Sequence, residues 1–230
     1  MRDSMAILQS VNLKETRIMP SYYIELGVDG QYIPYVFDRV LNYDEISKEV
    51  PSWNGGSSGE AYSEKDEIPY KAFTGKSTLV NFVFPEVVTK IGDSAFENCS
   101  VLSGAMIIPD DVKEIGQYAF DGCSNISSLS LPVGLEMIET DAFYNCTSLS
   151  GSLMLPSTMK YIGESAFNGC RGFSSSLVLP DGLEYIGYSA FNSCSGFTGD
   201  LRIPESINEI FDGTFAGCSG LNGRLIMHDN

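Results

Sequence analysis

The sequence predicts a β-rich solenoid, a stack of similar coils. Three observations carry that expectation. Prolines recur at 85, 109, 132, 156, 180 and 204. The same apolar spacing follows each of them, and each unit closes on a cysteine, at 99, 123, 146, 170, 194 and 218. A period of this size marks an array in which no single coil can bury its own apolar face, so that only stacking offsets the entropy of ordering it.

Each unit has the form L-P-x-x-L-x-x-I-G-x-x-A-F-x-x-C, as in LPSTMKYIGESAFNGC (155–170) and LPDGLEYIGYSAFNSC (179–194). Isoleucine stands six residues after every proline (91, 115, 138, 162, 186, 210), and phenylalanine eleven after it (96, 120, 143, 167, 191, 215). Stacked coils place equivalent side chains in inward ladders, and a shared space on every rung explains the uniformity. Burying one Ile or Phe contributes roughly 1.5–3 kcal/mol. Two segments per unit read as strand. The first alternates before the proline, as in SLMLP (152–156), SLVLP (176–180) and DLRIP (200–204). The second is short, as in MKYI (159–162) and LEYI (183–186). The glycine after the isoleucine suggests a turn with unusual backbone angles; Glu139 and Phe211 depart from it. SAFNGC is too short for a full helix and predicts one helical or 3₁₀ turn.

One partial and six full units fill residues 68–230. The partial one has Lys76 where a cysteine belongs, as befits an atypical capping repeat. Residues 1–67 read as a small β cap. SYYIELGVDGQYIPYVF (21–37) is a hairpin around Asp29-Gly30, YDEISKEV (43–50) a short helix, and PSWNGGSSGE (51–60) a flexible connection.

This pattern resembles the BspA-like (Treponema pallidum type) leucine-rich repeat over roughly residues 68–226. The resemblance implies a right-handed solenoid with a parallel sheet on the concave side. It also implies a bacterial or protist surface protein that binds other macromolecules, secreted or at the cell surface, with no catalytic residues to carry over. The common 23-residue unit occurs once, between Pro109 and Pro132; the other units carry an extra residue just before the concave strand.

Composition excludes several functions. The formal charge is −16, which argues against nucleic acid and anionic membranes. No run approaches the roughly 18–20 apolar residues of a membrane helix, and the N-terminus lacks the long apolar stretch of a signal peptide. One thiol per coil forms a line, whereas a metal site needs converging ligands. The thiols read as small buried hydrophobes; a disulfide is the alternative, because coils about 4.8 Å apart lie near bridging range. His228 stands in no motif that would make it a base for a nucleophile. The acidic residues after the prolines (Glu86, Asp110, Asp181, Glu205) read as a solvated row. Glycosylation triplets at Asn98, Asn125 and Asn145 follow from periodicity and chance. No enzyme activity and no cofactor or metal are expected.

The outward concave positions escape the core constraint. They read Val83, Ile107, Ser130, Met154, Val178, Arg202 and Ile226, beside Asn81, Ala105, Ser128, Ser152, Ser176, Asp200 and Arg224. Apolar rows often mark interaction sites, although parallel strands also favour β-branched residues. Val83, Ile107, Met154, Val178, Arg202, Asp200 and Arg224 are therefore the candidate protein-binding residues. The expected partner is a protein or extracellular-matrix ligand. Tyr161 and Tyr185, on the second strands, are the candidates for a glycan, with ordinary packing as the plainer account. A third reading is a scaffold segment of a longer surface protein. Leu225, Ile210 and Phe215 near the C-terminal end predict either further repeats or a weak end-to-end homodimer.

Overall fold

The computed structural model describes residues 67–84 and 87–227, together with the backbone of three short strands before them. Those are β1 (Ser10–Asn12), β2 (Tyr23–Glu25) and β3 (Tyr32–Pro34). β2 and β3 pair antiparallel, as a hairpin requires; the Asp29-Gly30 turn, the expected helix at 43–50 and the connection at 51–60 lie outside the described residues. The strands that follow are β4 (Glu67–Ile68), β5 (Asn81–Val83), β6 (Lys90–Ile91), β7 (Gly104–Ile107), β8 (Glu114–Ile115) and β9 (Ile126–Ser130). Then come β10 (Met137–Ile138), β11 (Ser150–Gly151), β12 (Tyr161–Ile162), β13 (Gly172–Phe173), β14 (Tyr185–Ile186), β15 (Leu201–Arg202) and β16 (Leu225–Ile226). All pairings after the hairpin are parallel, and they stack about seven turns of a β-solenoid.

The continuous sheet lies where the sequence suggests only short second strands. β4, β6, β8, β10, β12 and β14 form one six-stranded parallel sheet, each bringing one buried isoleucine into register with the next. The pre-proline segments, expected to make the main sheet, pair only in pieces: β1 with β5, β7 with β9, β11 with β13 and β15 with β16. Residues 152–156 and 176–180 alternate between buried and exposed side chains without joining a ladder. Between the units of Pro156 and Pro180 the pairing falls upstream, onto 150–151 and 172–173, whereas β7 and β15, which precede Pro109 and Pro204 in units of the same length, pair directly before the proline.

The segment around the A-F pair is not a helical turn, and no helix occurs among the described residues. Its amides alternate. Ala95, Glu97 and Cys99 N–H donate three residues back, while Ser94, Phe96 and Asn98 N–H donate to Gln117, Ala119 and Asp121 in the next coil. Ser94 and Asn98 have φ of 56° and 58°, the left-handed third position of a type II turn, and the same two positions repeat along the chain. The left-handed residues break any helix and turn every second amide towards the neighbouring coil.

The glycine after the isoleucine also has a different cause from the one expected. Gly92, Gly116, Gly163 and Gly187 do not have positive φ. A Cβ at Gly187 would lie 2.5 Å from Glu164 N, and one at Gly163 would lie 2.5 Å from the carbonyl carbon of Glu139. At these four positions the preceding coil's backbone occupies the space that a Cβ would need; Glu139, at the equivalent position, carries a side chain and still bonds Ile115 O at 2.9 Å. Phe211 has a ring instead. Its amide makes no bond to Ile186 to continue the ladder, the sheet ends at β14, and Ile210 is 38 % exposed while the earlier ladder isoleucines are buried.

Inside, phenylalanine rings from Phe73 to Phe215 stack nearly parallel, with centroids 5.0–5.7 Å apart. All six cysteines are free and buried. Each thiol donates to the carbonyl of the phenylalanine one coil earlier, from Cys99 Sγ to Phe73 O at 2.9 Å through Cys218 Sγ to Phe191 O at 3.0 Å. The cysteine is thus more than a small hydrophobe: it gives those buried carbonyls a second, weak donor.

The close-approach account distinguishes two glycines. Gly163→Ala should cost about 1–3 kcal/mol, because backbone must move. Gly182→Ala, whose Cβ would meet only Ser157 O at 3.5 Å, should stay within about 1 kcal/mol of the parent. Urea unfolding of the two variants measures the difference; equal stabilities would remove the close-approach account.

Candidate functional site

The pre-proline face carries one outward side chain per coil. Val83, Ile107, Met154 and Val178 are all exposed, Met154 at 74 % and Ile107 at 67 %. The next residue inward is buried in each case, Phe82, Met106, Leu153 and Leu177, so the period-2 geometry of the segment sets the display. Ile107 faces Ser130 across β7 and β9, and Arg202 faces Ile226 across β15 and β16. Ala105, Ser152 and Ser176, two residues earlier in each coil, are exposed and small.

The charged members are engaged. Arg202 bonds Asp181 through its guanidinium. Asp200 accepts from the Arg224 backbone N–H at 2.8 Å and from its guanidinium at 2.8 and 3.1 Å. The Arg224 amide, then its side chain, holds Asp200 below the usual carboxylate range. Val133, 82 % exposed and just past Pro132, adds apolar surface that the sequence reading missed, because that reading followed only the strand positions.

Tyr161 and Tyr185 come together on the continuous sheet, rings 4.8 Å apart and 7° from parallel. Phe211 tilts against Tyr185 and Tyr188 at 5.4 and 4.7 Å. Each stacked ring turns one face to the other, and Phe211 takes up space beside Tyr185, which reduces the open ring face that a sugar would need. Of Ile210, Phe215 and Leu225, on which the end-to-end expectation rests, Ile210 is 38 % and Leu225 63 % exposed, while Phe215 is partly buried against the core. Glu86 and His228 lie outside the described residues.

The chemistry available elsewhere is limited. Burial pushes the Cys99 and Cys218 thiols up to about 11 and the four between them further, so the thiolate, the reactive form, is suppressed. No three His, Cys, Asp or Glu side chains converge as metal ligands among the described residues, and no helix there is long and apolar enough to cross a membrane. Carboxylates do stack along the turns. Burial, then Asp141 and Glu97, raises Asp121 to about 6. Burial and Glu164 raise Asp141, while a hydrogen bond from Tyr118 opposes that shift.

Comparison with known proteins places this architecture. The model of the BspA-type leucine-rich repeat region matches residues 66–171 and 151–228. The chain belongs to that family. Its repeats are those of a protein-interaction module. A Treponema pallidum leucine-rich repeat protein is similar at 30 % identity and a TM-score of 0.57, over 64 % of this chain and 72 % of that one. A leucine-rich repeat protein from Bacteroides ovatus is similar at 26 % identity and a TM-score of 0.62, over 91 % and 52 %. A leucine-rich cell surface protein from Faecalibacterium prausnitzii matches at 28 % identity and a TM-score of 0.54, over 70 % and 50 %. The chain therefore spans about half the length of the last two. No curated protein matches it.

The raised carboxylates predict a pH dependence. Folded Asp121 binds its proton below about 6, and the unfolded group only below about 3.9. Its contribution to stability is thus present at low pH and lost as pH rises through about 6. Thermal unfolding should show stability rising on acidification from pH 7.5 to 5. Asp121→Asn should stabilise at pH 7.5 by on the order of 1 kcal/mol after solvent screening, and weaken the pH slope. Acidification that destabilises across this window would contradict the assignment.

Proposed function

We propose that this chain is a non-catalytic protein-binding module whose docking surface is the row Val83, Ile107, Met154 and Val178, bordered by Asp200, Arg202 and Arg224. The observation that carries the reading is the exposure of large apolar side chains on four coils of one face, two adjacent pairs with Ser130 between them. Scattered exposed hydrophobes are ordinary on any surface, but a line of them on one face is an interaction feature. The paired Arg202–Asp181 and Arg224–Asp200 form a polar border at one end of it. A cell-surface, adhesin-like setting is part of the proposal; the family and the cell surface protein of Faecalibacterium prausnitzii support it. The tyrosine-based glycan reading stands second, because Tyr161 and Tyr185 stack on each other and Phe211 tilts against Tyr185, which takes up ring face that a sugar would use.

Purified extracellular-matrix proteins and a glycan array, probed with the immobilised chain, test the proposal. A protein ligand should be captured. Met154→Asp combined with Val178→Asp should reduce its affinity at least tenfold and leave circular dichroism and the melting temperature unchanged. Undiminished capture by the double variant, or glycan binding that depends on Tyr161 and Tyr185, would overturn the reading.

A further inference from the structure

The row has a repeat length as well as a chemistry, and the length narrows the partner. Resting on the reading of the row as a docking surface, we propose that its occupant is an amphipathic α-helix of another protein. The helix lies along the solenoid axis, its apolar stripe flanked on one side by Lys or Arg.

The first argument is commensurability. The row offers one side chain per coil, and the coils are spaced 5.0–5.7 Å at the phenylalanine ladder. An α-helix advances about 5.4 Å per turn, so successive stripe residues meet successive coils. An extended strand laid the same way repeats its face only every 6.7 Å or so, and slips by more than about 1 Å at each coil. From Ile107 to Val178 is three coil steps, roughly 16 Å, the length of about eleven helical residues.

The second argument is relief. Ala105, Ser152 and Ser176 keep the ground beside the row low, so a cylinder can settle against Met154 and Val178. Ser130, in the 23-residue unit, leaves a notch between Ile107 and Met154 that a large side chain on the facing helix turn fills.

The third argument is charge. Past the prolines, on the other flank, Asp110, Asp111, Asp181 and Glu205 are exposed. The ion pairs of this face take up Asp181 and Asp200. The flank keeps net negative charge, which opposes an acidic helix and attracts a basic one.

Three synthetic peptides of about 21 residues test this. One places Leu at i, i+3, i+4 and i+7 with Lys on the flank; one rearranges the same residues into strict alternation; one is the helical pattern with Glu on the flank. Anisotropy titrations against the whole chain, with circular dichroism of the mixtures, should show the Lys-flanked helical peptide binding at least tenfold tighter than the others and gaining helicity. The Met154→Asp/Val178→Asp variant should lose at least tenfold. Equal binding of the alternating peptide, lost in the variant, would overturn the helix and leave the docking surface standing. Helical binding that the variant does not weaken would overturn both. No binding of the Lys-flanked peptide at millimolar concentration would overturn the helix. Self-association in light scattering that the variant abolishes would give the row to a second copy and likewise overturn it.

Discussion

Each coil must come within about 5 Å of the next along both a strand and a turn. Everything else in the molecule depends on meeting that spacing. On the strand side the glycine after the isoleucine removes a Cβ that would collide with the preceding backbone, as Gly172, Gly196 and Gly220 do further round the coil. On the turn side, two left-handed residues per coil point alternate amides at the neighbour's carbonyls. The phenylalanine ladder and the thiol-to-carbonyl bonds fill the space between at the same period. The spacing is therefore enforced by sterics, backbone bonding and side-chain packing together, and each supports the others.

Function follows from what the spacing leaves free. A rigid period fixes the distance between equivalent outward side chains, so a row becomes a ruler. The inward positions are uniform because they must fit one space. The outward ones vary between Ile107, Ser130, Met154 and Arg202 because nothing inside restrains them. The proposed docking row consists of these varied positions, and the frame keeps that surface pre-organised.

Much of this was legible in the residues, and the limits are physical. The ladders of Ile, Phe and Cys repeat identically, so the solenoid and its core could be read directly. The exposure of Val83, Met154 and Val178 followed from period-2 alternation. The dominant sheet could not be read the same way. Hydrophobic alternation reports which side chains are buried, and SLMLP and SLVLP are buried alternately without being bonded to each other. The role of Gly163 was hidden because sequence does not distinguish a glycine required by its φ from one required by a neighbour 24 residues away. The thiol bonds were invisible for the same reason: the acceptor is a backbone carbonyl in the preceding coil.

The central claim is that bonds between coils, not within them, hold the fold. Native-state hydrogen exchange at the Phe120, Phe143 and Phe167 amides measures this most directly, since each donates to the next coil at 2.8 Å. The account predicts that all three exchange only through unfolding of the whole stack, with one common free energy equal to that from urea unfolding. Independent opening at any of the three, with a free energy several kcal/mol below the global value, would contradict it.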